Sequence, residues 1–76
     1  MVDRDVIEEI ARRVHRRERR AILKREYGAM RPGFTTTLII DEVFKTEIPE
    51  DDVPHVRSEV AQLLPQMRLK DRKKVS

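Results

Sequence analysis

The most evident chemistry in this chain is a run of six arginines within RRVHRRERR, Arg12 to Arg20. A guanidinium is planar, permanently charged and forked, so it meets a phosphate with parallel N–H donors. Each phosphate it neutralises also releases condensed counterions, which makes binding favourable and salt-dependent. At about 100° per residue, Arg12, Arg13, Arg16, Arg19 and Arg20 fall on one side of a helix. Val6, Ile7, Ile10, Ala11, Val14, Ala21 and Ile22 fall on the other. Arg17 and Lys24 extend the basic surface, and Lys70, Arg72, Lys73 and Lys74 form a second group near the C-terminus. The pattern predicts a non-catalytic protein that contacts the phosphates of DNA or RNA. Three other readings share this chemistry: a solvated face, an acidic protein surface and an anionic membrane surface. The main alternative is an adaptor or structural subunit whose basic helix pairs with an acidic protein partner. A membrane partner is not favoured.

Other constellations are poorer. His15 and His55 stand far apart without an HExxH or cysteine companion, so no metal site is expected. Glu50, Asp51 and Asp52 lack the glycine and final glutamate of a calcium loop, and suit a helix start instead. Ser58 has no nucleophile-elbow context, and the chain's two glycines form no phosphate-cradling loop. No cofactor and no enzymatic activity are predicted. Tyr27, at the end of the basic helix, could stack on a base. An amphipathic tyrosine more often closes a core with its hydroxyl in water.

Charge is segregated along the 76 residues. Residues 1–33 carry ten Lys/Arg against six Asp/Glu, a balance of +4. Residues 34–64 carry two against seven, or −5, and residues 65–76 carry five against one, or +4. A basic arm, an acidic middle and a basic end result. The acidic middle offers the arginines a partner other than nucleic acid. There is no cysteine, which fits a reducing compartment such as the cytoplasm and leaves no disulfide to staple a small fold. No apolar run is long enough to span a membrane, and MVDRDVIEE does not read as a signal peptide.

These residues need elements to hold them. Residues 3–27 read as one long helix, capped by Asp3, with Asp5, Glu8 and Glu9 at its positive end and Gly28 as its C′ residue. At ~1.5 Å per residue it would reach about 37 Å, long for a chain of this size. Glu8–Arg12 and Glu9–Arg13 are expected ion pairs. Residues 28–33 read as a turn. A third helix over 54–64 carries a seam at Val53, Val56, Val60, Leu63 and Met67, and Pro65 should end or kink it. Residues 1–67 then form a single small domain, and 68–76 a basic, disordered tail.

The central stretch FTTTLIIDEVFKTEI, Phe34 to Ile48, is the hydrophobic centre, and both phenylalanines are expected in the core. Its β-branched residues suit a strand, yet Ile39/Val43 and Ile40/Phe44 are helical pairs, and Thr35 suits an N-cap. A strand would need a partner, and no other stretch reads as one. The expected fold is mainly α: three helices, a long basic one followed by a helix-turn-helix-like pair at 36–46 and 54–64. The alternative is α-β-α, with the 34–46 strand paired across a dimer. Glu50, Asp51, Asp52 and Glu59 make the start of the last helix acidic, so it does not suit a major-groove recognition helix. The protein is expected to be a homodimer, through the seam at Val53, Val56, Val60, Leu63 and Met67.

Overall fold

The computed structural model describes residues 2–26, 28 and 31–75, with side chains as far as Lys70. Helix α1 spans Arg4–Leu23, α2 spans Phe34–Lys45, a single 3-10 turn covers Glu50–Asp52, and α3 spans Val53–Val75. The three helices pack pairwise on one another in a body measuring 37 × 27 × 17 Å. There is no strand among the described residues. The helical reading of the central stretch therefore stands, and the α-β-α alternative does not.

The ends of α1 differ from the expected 3–27 for a local reason. Asp3 is the N-cap, and its carbonyl accepts from the Val6 and Ile7 amides, but its side chain makes no capping hydrogen bond. At the other end Arg25 turns left-handed, with φ 52°. The Arg25 amide then donates to Ile22, and the Glu26 amide to Ala21. This is a Schellman closure, a motif that usually employs glycine. Arg25 takes that place, not Gly28. A helix of 20 residues runs about 30 Å, so α1 fits inside the 37 Å long axis without projecting.

Thr35 is not the cap of α2. Gly33 is, with φ 87°, and α2 begins at Phe34. Thr37 donates both its amide and its hydroxyl to the Gly33 carbonyl, and the Thr46 hydroxyl donates to the Glu42 carbonyl. Two β-branched threonines thus serve the ends of a helix instead of a strand. Leu38, Ile39 and Val43 supply its buried face.

Helix α3 continues through Pro65 to Val75, so Pro65 does not end it, and residues 68–75, expected as a disordered tail, are helical. Proline removes one helical hydrogen bond, to the carbonyl four residues before it. Here that carbonyl belongs to Ala61, and both residues are exposed, where water can replace the bond.

Ile7, Ile10, Ala11 and Val14 of α1 meet Leu38, Ile39 and Val43 of α2 and Val56, Val60 and Leu64 of α3. Val53, Leu63 and Met67 pack half-buried against this cluster. The seam assigned to a dimer interface therefore faces inward, and Val56 and Val60 are wholly buried within one chain. Burying one such side chain contributes roughly 1.5–3 kcal/mol to the fold. Phe34 packs half-buried against this cluster, in keeping with expectation, whereas Phe44 is 85% exposed.

Candidate functional site

Helix α1 sorts its charges by direction. Arg12, Arg13, Arg16 and Arg20 are exposed on the side away from Ile7, Ile10 and Val14. Steps of four residues carry Arg12, Arg16 and Arg20 up this face at about 6 Å each. Glu9 sits at its start and accepts from Arg12 Nε at 3.2 Å and Arg13 Nε at 3.2 Å. The Arg12 hydrogen bond is the main influence lowering the Glu9 carboxyl below its ordinary value, against a smaller opposing effect of burial. The Glu9–Arg13 pair is as expected; Glu8 turns instead to Arg4 at 3.6 Å. Among the described residues, no hydrogen-bond or ion-pair partner engages the side chains of Arg16 and Arg20.

The remaining members of the run leave this face. Arg17 approaches Glu42 of α2, with Nη1 at 3.7 Å from a carboxylate that is almost fully buried. Arg19 lies beside His15 in a groove closed by Ile22, Leu23 and Arg68. Glu18, the single acid within the run, points into the protein and is only 8% exposed. It accepts from three donors: Thr35 Oγ1 of α2 at 2.6 Å, and Arg68 Nη2 at 2.6 Å and Nε at 3.1 Å of α3. Burial acts most strongly on its carboxyl and pushes it up. The hydrogen bonds from Arg68 and Thr35, with the charges of Arg68 and His15, overcome this and hold it below its ordinary value. One acid therefore ties all three helices together.

The structure also brings Lys70, the member of the second basic group whose side chain is described, beside α1. Arg4, Glu8 and Arg12 of α1 line a second groove with Leu63, Gln66, Met67 and Lys70 of α3. Lys70 thus adjoins the edge of the arginine face. Lys24 is exposed just beyond α1. Arg72, Lys73 and Lys74 lie on the helical backbone of α3 with side chains outside the described residues, and Tyr27 lies outside them altogether.

No family model, no curated protein and no solved structure matches this chain. What the face can do must be read from its own chemistry. Arg4 is the contributor that the run-based reading passes over. Its signal was present, because Arg4, Glu8 and Arg12 are successive i, i+4 neighbours on one flank. Arg68 had no local signal, since its partner Glu18 is 50 residues away. Among the described residues, no three metal-ligating side chains gather in one place.

Proposed function

We propose that the protein binds nucleic acid through the outward face of α1, contacting phosphates without catalysing a reaction. The observation that carries this reading is that Arg16 and Arg20 are exposed and, among the described residues, unpaired beside Arg12 and Arg13. Arginines whose purpose is to hold the fold are visible for contrast: Arg17 and Arg68 both reach buried carboxylates. The outward arginines do nothing comparable for the chain. Arg4 and Lys70, at the groove beside Arg12, widen the basic surface toward α3. A row of exposed cations along a helix, with Glu9 at its start, suits a polyanion better than a single small anion. They also give little basis for reading sequence, because phosphate contacts position a protein without distinguishing bases.

The test is a combined Arg12→Gln, Arg16→Gln and Arg20→Gln variant. Glutamine keeps helix propensity nearly constant, and none of the three side chains enters the core. The variant should stay folded and lose affinity for random duplex and single-stranded oligonucleotides alike. On duplex DNA the slope of log K against log salt should shrink by roughly 0.9 for each phosphate contact removed. A folded variant with unchanged affinity and slope would transfer the face to the adaptor reading, in which an acidic protein surface takes the place of phosphate.

A further inference from the structure

Helix α2 turns Leu38, Ile39 and Val43 to the core, and leaves Ile40 and Phe44 on its opposite side, 45% and 85% exposed. They are four residues apart, so they stand one above the other as a short apolar ridge. A largely bare phenylalanine on the outer face of a buried-core helix makes no use of its apolar area within the chain. On one flank of this ridge lie Asp41 and Lys45, also four apart and both exposed. Among the described residues, neither side chain has an ion-pair partner.

We infer that this face of α2 pairs with the same face of a second copy of the chain, antiparallel about a two-fold axis. The flank charges choose the occupant and the direction. When two identical helices pack antiparallel about a two-fold, each flank meets the same flank of its partner. Asp41 then faces Lys45 of the partner subunit, and Lys45 faces Asp41 of the partner subunit, so one flank is complementary to itself. In that register the two copies of Ile40 and Phe44 interleave along the seam. A parallel pairing would set this flank against the Thr36 side of the ridge, where no charge answers it. The seam predicted from the sequence at Val56 and Val60 is already buried in the chain, so this ridge is a different surface. The contact is small, and interfaces of that class form weak dimers, with dissociation constants of roughly ten micromolar to a millimolar. Nothing in the inference depends on nucleic-acid binding, and its test contains none.

Sedimentation of the full chain over a concentration series up to about millimolar should show a monomer–dimer equilibrium. Phe44→Ser should weaken it at least tenfold, with the fold retained because the ring is exposed. Asp41→Lys alone and Lys45→Asp alone each place like charges together twice across the two-fold, and each should weaken self-association by about tenfold. The doubly exchanged chain, D41K/K45D, should recover it. Mixing the two single variants should give a heterodimer tighter than either homodimer. Helical circular dichroism and thermal melts of each variant separate loss of association from loss of fold. A wild-type chain that stays monomeric throughout the series would overturn the inference. So would a dimer indifferent to Phe44→Ser and to the charge exchanges, since it would be held by another surface.

Discussion

Glu9 and Glu18 lie nine residues apart on one helix, which at 100° per residue places them on opposite faces. Each accepts hydrogen bonds from arginine near 3 Å. Around Glu9 the partners are neighbours in sequence, three and four positions on, and all three side chains are substantially exposed. Around Glu18 the partners come from the other two helices, and only 11% of the carboxylate side chain is exposed. The same chemistry therefore has two consequences. In water, two long side chains lose freedom to form a screened contact, and little stability results. Nearer the interior, the carboxylate has lost most of its hydration, so removing a partner leaves a charge that is costly to hold there. Stability should depend on the junction, and the outer face should be open to revision.

The largest expected effect tests the junction directly. Arg68→Ala leaves Glu18 charged, with Thr35 as its remaining donor. Breaking a fully buried pair costs about 3–5 kcal/mol. The Arg68 side chain is 45% exposed and water can partly replace it, so about 2 kcal/mol is expected. Urea unfolding at neutral pH measures this. A loss no greater than that of a surface substitution would remove the distinction between the two regions.

Acid titration sharpens the same point. The Glu18 carboxyl is lowered in the folded protein, despite burial, by Arg68 and Thr35. A lowered carboxylate contributes stability that is fully present above its unfolded value, near 4.3, and is lost as pH falls through the lower folded value. Glu18→Gln should accordingly be destabilising by about 1–2 kcal/mol at pH 7. The gap to wild type should close in acid, below about pH 4. Chemical denaturation at a series of pH values follows the gap, and a constant gap would mean that the charge on Glu18 is not what binds the helices.

A smaller effect in the opposite direction comes from the backbone at the C-terminal end of α1. Arg25 holds a left-handed conformation at φ 52°, where an L-residue other than glycine is strained by about 1–2 kcal/mol. Arg25→Gly should raise stability, by roughly 0.5–1 kcal/mol after the entropy glycine loses on folding. A thermal melt is sufficient to read it. Because Arg25 lies beyond the last turn of α1, its removal should leave the acid dependence contributed by Glu18 unchanged.

The smallest stability effect belongs to Glu9. Glu9→Gln should leave the melting temperature close to that of wild type, since the carboxylate and its partners lie in water. If the outer face binds phosphate, the same change should raise nucleic-acid affinity and steepen its salt dependence, because Arg12 and Arg13 are released from an internal competitor. Oligonucleotide titration of this variant beside Arg68→Ala sets the two regions against each other: one should alter binding without stability, and the other stability foremost.

Much of this architecture was determined by sequence alone, because it is local. The apolar stripe Ile7, Ile10, Ala11 and Val14 specifies a helix with one buried side, and the opposite arginines follow from the same period. The seam at Val56 and Val60 specifies a second such helix, whereas for residues 34–46 the sequence favoured a helix but left a dimer-paired strand open, and the structure decided between them. The Glu9–Arg13 pair is one helical turn and needs no further information. Tertiary structure decided what distance along the chain conceals. Period places Glu18 near the apolar stripe, but its partners Thr35 and Arg68 lie 17 and 50 residues away. Composition makes Phe44 a core residue, yet only the docking of α2 through Leu38, Ile39 and Val43 settles which side faces solvent. Whether a seam meets its own chain or another is likewise beyond local pattern. Here α1 and α2 are covalently tethered to α3, so they reach Val56 and Val60 at an effective concentration no separate chain approaches.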